Sequence, residues 1–412
     1  MNELENSFYI PFERTLRRGH RETPTMLEKK IRLEHTHRIL FTREVFARTN
    51  TTIRELLMLD HPNKVPRVLV FVDDHVAGTN PTLLADIRSY ARAHAEVLDL
   101  AGEPVILPGG EPCKNDFALV QQCWQAINAA ALDRHSYIFV IGGGAALDLV
   151  CFAASTAHRG IRHVRFPTTT LSQGDGGVGV KNGVNYFGKK NWIGSFAVPY
   201  AVVNDFAFLA SLPERERRNG IIEAIKVALI RDRAFYEEIE QMADALTRLN
   251  PSALERVVQH SAELHVEHIA TGGDPFELGS ARPLDFGHWA AHKLEQITHF
   301  EVTHGEAVAI GMAVDLVYSV KKGILDNSTA QRVLRLIEAI GFETYHPKLQ
   351  AEGNTGQTVI LEGLEEFREH LGGELTVTLV PKIGQKLEVH EMDRDLILAA
   401  MEELRERTLV TA

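Results

Sequence analysis

The stretch RVLVFVDDHV, Arg67 to Val76, constrains this chain more than any other. Its apolar, largely β-branched residues run without alternation and close on two acids, the pattern of a strand buried on both faces of a parallel sheet. Parallel strands need crossovers, and a helical pattern follows from about Pro81 to Ala95. SYIFVIGGGAALDLVCFAAST repeats the theme: a strand ends at Ile141, three glycines turn the chain, and an amphipathic helix begins at Ala145. The N-terminal half is therefore α/β. From Glu214 onward the period lengthens to that of helices, around Ile221 to Ile230, Arg233 to Leu249, Pro251 to Ile269, Gly287 to Thr298, Gly305 to Lys322 and Thr329 to Ile340. At 412 residues and 44% hydrophobic content two domains are expected, because single cores stop growing at about 250–300 residues. LASLPERERRNG, rich in turn and charged residues, puts their boundary near Ala210. Residues 1–22 are polar and irregular, as in a terminal tail or lid, so the expected division is 1–22, 23–210 and 211–412.

A formal charge of −11 leaves no basic stripe for nucleic acid or an anionic membrane, so any anionic substrate must meet a local cationic pocket. Cys113, Cys123 and Cys151 are scattered without a CxxC pair, which argues against disulfides and thiolate metal sites and for a reducing cytoplasm. No apolar run approaches the ~18 residues of a membrane span, and the start lacks the apolar centre of a signal peptide.

GGGAALD, Gly142 to Asp148, joins a strand to a helix N-terminus, where free backbone N–H groups favour an anion such as a pyrophosphate; a tight turn with no ligand is the plain alternative. PTTTLSQGDGGVGVKNGVNYFGKKN, Pro167 to Asn191, gathers six glycines and three lysines around Asp175. It reads as one long loop for a phosphorylated substrate, with a solvated hairpin as the alternative. Glu223 and Lys226 share a helix face, which on its own describes a surface ion pair. His288 and His292 share another face, and His304 opens a further helix. One Glu and two His suit a metal with an open coordination position, and spacing leaves open which two histidines bind. Trp289 follows His288, so the H-E-x-x-H of zinc proteases is absent.

Taken together and in this order, VDD, GGEPCK, GGGAALD, RG, PTT, DGGVGVK, GKKN, EAIK, DFGHWAAH and HGEAVAIGM resemble the dehydroquinate synthase-like sugar phosphate cyclases, from about Val68 to Leu396. That resemblance implies an α/β Rossmann-like NAD domain followed by a mostly α-helical metal domain, with a homodimer as the usual assembly. It implies Glu223, His288 and His304 as ligands of Zn2+ or Co2+, with His292 contacting substrate. The NAD site would include Asp73, Glu111, Lys114, Gly143, Gly144, Asp148, Thr168 and Thr169. Asp175, Lys181, Lys190, Asn191 and Lys226 would contact substrate, and Arg159 would reach its phosphate across the dimer interface. The implied reaction is transient oxidation of a ring hydroxyl, β-elimination of phosphate, reduction, ring opening and aldol closure.

Dehydroquinate synthases hold a substrate carboxylate with an Arg and an Asn just before the metal histidine. Here these positions are Ala281 and Asp285, with Arg282 one residue away. A carboxylate ~4 Å from Asp285 is repelled by about 4 kcal/mol at an effective dielectric near ~20. RPLDFGH, KNGVNYFGKKN and EFREHLGG instead resemble 2-epi-5-epi-valiolone synthases, which cyclise sedoheptulose 7-phosphate. In that comparison His370 stands where dehydroquinate synthases have Lys, and His292 where valiolone synthases tend to have Pro. The His292 departure leaves the product's stereochemistry open and allows a separate branch, such as the dehydroquinate synthase-like proteins of ebo gene clusters. The expected function is thus a sedoheptulose 7-phosphate cyclase. The alternatives are 3-dehydroquinate synthase, an iron-type alcohol dehydrogenase, and a binding protein that has kept the fold.

Overall fold

The apolar runs become neighbouring strands. In the computed structural model, which describes residues 27–411 apart from 32, 61–63, 273–283, 354–355 and 371–372, residues 36–412 form one compact unit. The expected tail, residues 1–22, lies outside the described residues. The first half runs β1 (Ile39–Thr42), α1 (Thr52–Met58), β2 (Arg67–Asp73), α2 (Asp74–Thr79), α3 (Leu83–Ala93), β3 (Asp99–Leu100), β4 (Val105–Leu107), α4 (Phe117–Ala129), β5 (Tyr137–Gly142), α5 (Gly144–Thr156), β6 (Arg162–Pro167), α6 (Thr170–Gly174), β7 (Lys181–Tyr186), β8 (Lys189–Phe196) and β9 (Ala201–Asp205).

Seven of these strands make a parallel sheet in the order β1-β9-β6-β5-β2-β3, with β4 also paired to β2. Val68, Val70 and Val72 pack with Ile53 and Ile87 of α1 and α3, while Leu69 and Phe71 pack with Val120 and Leu149 of α4 and α5. Helices on both faces explain why the strand sequence does not alternate. The chain leaves β2 for β3 and β4 on one side and returns to β5 on the other. The order therefore reverses between β2 and β5, and their carboxyl ends frame the crevice where such sheets take ligands.

The second half runs α7 (Glu214–Arg231), α8 (Arg233–Gln241), α9 (Ala243–Thr247), α10 (Pro251–Thr271), α11 (His288–Ile297), α12 (His304–Lys321), α13 (Asn327–Ala339), α14 (Glu362–His370), β10 (Val377–Lys382), β11 (Gln385–Val389) and α15 (Arg394–Thr411). The helix expected from Arg233 to Leu249 breaks at Met242 into α8 and α9. Residues Asn219 to Ile230 of α7 and Ala307 to Ser319 of α12 are buried on every side, so these two helices form the centre of the bundle. Among the described residues no helix is long and apolar enough to cross a membrane.

Helices α11 and α12 touch backbone to backbone. Gly287 has a φ of 78°, and a Cβ there would lie 2.6 Å from Met312 N; one on Gly311 would lie 2.0 Å from Gly287 O. Asp315 of α12 locks this contact by accepting from Gly287 N at 3.0 Å and Trp289 Nε1 at 2.9 Å. Burial pushes its carboxyl up to about 7. Between about pH 4 and 7 the unfolded chain releases this proton and the folded chain keeps it, so the contribution of Asp315 to stability falls as pH rises through that window. The stability gap between wild type and Asp315→Asn, measured by urea unfolding, should therefore shrink from pH 5 to pH 8. Asp315→Ala, which orphans two buried donors, should cost about 2–4 kcal/mol.

Candidate active site

The first cluster forms where β2, β5 and β6 end. Asp73 finishes β2 and caps α2, accepting from His75 N at 2.9 Å, and burial raises its carboxyl above the usual range. A Cβ on Gly109 would meet the Asp73 carboxylate at 2.3 Å, and one on Gly142 would lie 3.0 Å from Asp73 Cβ. Only bare backbone fits in that crevice. Gly143 starts α5 without a capping side chain, and a Cβ on Gly144 would meet nothing within 4 Å, so no side chain crowds the start of the helix. Thr168 N bonds to Gly142 O at 3.0 Å, leaving its buried hydroxyl without a hydrogen-bond partner, while Thr169 caps α6.

Lys114 reaches the same region from a 3-10 turn, Glu111–Asn115. Its buried ammonium lies 2.7 Å from Asp148 of α5 and also bonds to Asn191. Burial opposes that charge, but Asp148 and Glu111 hold it above its ordinary pKa. Glu111 and the Asn191 backbone N–H both bond to Asn185, at 3.2 and 2.9 Å. Glu111, Lys114, Asp148 and Asn191 thus form one network.

The second cluster lies among the helices. Glu223 and Lys226 of α7 are 1% and 2% exposed, so their ion pair is buried rather than on the surface. Lys226 also pairs with Asp175 at 3.4 Å. Despite burial, Glu223, Asp175 and, more weakly, Asp285 raise the pKa of its ammonium. Glu223 Oε1 accepts no hydrogen bond and lies 3.8 Å from His288 Nε2 and 3.4 Å from His304 Nε2. His288 Nδ1 is bonded to Phe286 O at 3.1 Å and His304 Nδ1 to Glu295 at 3.2 Å, so both imidazoles turn Nε2 toward Glu223. Burial and the nearby Lys226 ammonium lower the pKa of His288 well below the usual value.

A divalent metal fits these residues. One carboxylate oxygen and two imidazole nitrogens lie within 4.8 Å of one another, and the buried oxygen lacks any donor. His292, Glu295 and His304 make a second set of similar span, but both Glu295 oxygens are already used, by His304 and by Lys190 at 3.1 Å. The first set is therefore the better metal centre. The His292 ring stands 5.4 Å from that of His288 and 6.1 Å from that of His304, beside the ligands.

Two family models match the chain, 3-dehydroquinate synthase N-terminal over residues 104–219 and 3-dehydroquinate synthase C-terminal over 220–358. The 3-dehydroquinate synthase of Halorhodospira halophila is 36% identical over 306 residues, which is 73% of this chain and 84% of that protein. The chain belongs to the 3-dehydroquinate synthase family. These are phosphate-eliminating sugar phosphate cyclases, and the alcohol dehydrogenase alternative falls away. Among solved structures, 2-epi-5-epi-valiolone synthase from Streptomyces hygroscopicus subsp. jinggangensis 5008, with NAD+ and Zn2+ bound, is 26% identical with a TM-score of 0.79. The match covers 92% of this chain and 100% of that one. A 2-deoxy-scyllo-inosose synthase complexed with carbaglucose-6-phosphate, NAD+ and Co2+ shares the fold at 21% identity and a TM-score of 0.70, over 89% of this chain and 96% of that one.

Within this cyclase fold the expected long loop is instead α6, a turn at Asp175 and the antiparallel β7-β8 hairpin. The reason lies in β6. Arg165, fully buried, donates to Gly177 O, Gly179 O, Lys181 O and Asn182 Oδ1, which pins the turn and lets the hairpin form. Lys181 is exposed at the start of β7. Arg159 is also exposed and stands just before β6, at the end of the sheet opposite the clustered strand ends, so this chain does not bring it to its own site. The side chain of His370, and Ala281 and Arg282, lie outside the described residues.

Three residues escaped the sequence reading. Arg165 left a readable trace, a charge inside an otherwise buried strand. Glu295 lies at i+7 from His288 on the same helix face, which spacing could have revealed. His265, 3.0 Å from Asp175, had no sequence signal of its own. Arg165→Leu would orphan three carbonyls and an amide oxygen at about 1–3 kcal/mol each. It should destabilise the fold by more than about 3 kcal/mol and speed amide hydrogen exchange at 177–182; unchanged exchange there would contradict the pinning role.

Proposed function

We propose that this protein is an NAD- and metal-dependent sedoheptulose 7-phosphate cyclase that releases phosphate and forms a C7 cyclitol. The observation that carries this reading is the crowding of Glu223, Asp175 and Asp285 around the single Lys226 ammonium. A substrate carboxylate placed beside Asp285 meets a like charge, whereas a ketose without a carboxylate meets a hydrogen-bond acceptor. The likeness to the valiolone synthase along its whole length supports the same choice. The second reading, 3-dehydroquinate synthase, is favoured by the names of the curated relatives.

On this reading residues 23–210 bind NAD, through Asp73, Glu111, Lys114, Gly143, Gly144, Asp148, Thr168 and Thr169. Residues 211–412 hold Zn2+ or Co2+ through Glu223, His288 and His304. When bound, NAD supplies a reversible hydride acceptor and the metal a Lewis acid that acidifies and orients substrate hydroxyls. The chain's own residues do the rest. Asp175, kept ionised by Lys226 and His265 although buried, accepts a substrate hydroxyl. His292, beside the ligands, moves a proton. Lys181, Lys190 and Asn191 contact substrate, and His370 is a further site residue by family resemblance alone. Arg159 adds its charge from the second copy of a homodimer, since its own site is out of reach.

Purified protein with NAD, Zn2+ and sedoheptulose 7-phosphate should release phosphate and yield a C7 cyclitol by NMR. Turnover of the dehydroquinate synthase substrate instead would replace this reading with the second. Asp285→Asn should weaken C7-sugar turnover. His288→Ala should lose the metal, while His292→Ala should keep it and lose at least about 100-fold in kcat, the usual scale for a positioned acid or base.

A further inference from the structure

The metal-binding set has a second ring of contacts that reaches the β7-β8 hairpin through one buried acid. Glu295 is the eighth residue of α11, three after His292, with a side chain only 5% exposed. Its Oε2 accepts from His304 Nδ1 at 3.2 Å, and its Oε1 accepts from Lys190 Nζ of β8 at 3.1 Å.

The two imidazoles of the set are oriented differently. His288 Nδ1 is bonded to the Phe286 carbonyl, a piece of backbone that cannot rotate away. Among the described residues His304 Nδ1 is bonded to the Glu295 side chain alone, and Glu295 is in turn pulled by a lysine on another element. A histidine ligand needs its second nitrogen bonded, because that bond fixes the tautomer with the lone pair on the metal side.

We propose that Glu295 is the positioning residue of His304, and that Lys190 makes it a strap tying the β7-β8 hairpin to the metal-binding set. The proposal rests on the metal reading of Glu223, His288 and His304 given above. It gives Lys190, expected from sequence to contact substrate, a second task at the metal side. Lys190 is 28% exposed, so its ammonium can face the pocket as well.

The test uses the full chain, stripped of metal and titrated with Co2+ against a chromophoric chelator, with the visible Co2+ spectrum recorded at saturation. Glu295→Gln should bind Co2+ about 10–100-fold more weakly with a shifted spectrum. Glu295→Asp, which keeps the charge but draws it back from His304, should show the same loss and serves if the Gln variant does not fold. Lys190→Met, which spares the His304 bond, should bind within threefold of wild type, keep the spectrum, and speed hydrogen exchange in residues 181–196. Wild-type affinity and spectrum in both Glu295 variants would overturn the proposal, as would an equal loss of affinity in Lys190→Met. Wild-type protein that binds no Co2+ would overturn the metal reading itself.

Discussion

The site is organised by the ammonium of Lys226, held 2% exposed in the centre of a helical bundle with Glu223 and Asp175 against it. A lone buried charge costs several kcal/mol, so each of these groups is tolerable only because the others are present. That requirement shapes the surroundings. Helix α7 must be central rather than peripheral, and α6 must press on it closely enough that a Cβ on Gly220 would lie 2.5 Å from the Thr170 backbone. The same ammonium balances Glu223 from one side and leaves its Oε1 directed at two imidazoles on the other.

The β7-β8 hairpin hydrogen-bonds to both clusters of the site. Asn191 joins the Lys114 and Asp148 network at the strand ends, and its neighbour Lys190 joins Glu295 at the helices. Arg165 sets the base of this hairpin from inside the sheet, and His265 of α10 meets Asp175 where the turn begins. A glycine turn that leads from a strand into an uncapped helix suits a dinucleotide pyrophosphate, and a Glu–His–His set suits a divalent metal. A hairpin bonded to both is well placed to keep the two in register.

Much of this was legible in the chain. Uninterrupted apolar runs ending in VDD and VIGGG point to the parallel sheet, because burial on both faces leaves a direct compositional signature, whereas the switch point depends on a strand order that no local pattern encodes. The ligand triplet emerged once Glu223, His288 and His304 were read together as a family pattern. Spacing on its own did not separate His288 from His292, since both lie on one face of α11. What separates them is Glu223 Oε1, a contact made by a helix far away in sequence. The Glu223 and Lys226 pair looked like a surface pair, because nothing local reports how deeply α7 is packed. The sequence offers the hairpin only as the alternative to a loop, because its order depends on Arg165, whose four bonds are all tertiary.

The central claim is that two imidazoles, those of His288 and His304, and the Glu223 carboxylate hold one divalent metal, with His292 beside it. X-ray absorption on the zinc-loaded protein counts imidazole ligands directly. The account predicts two imidazoles with oxygen donors completing the shell; a spectrum that requires three, bringing in His292, would contradict it.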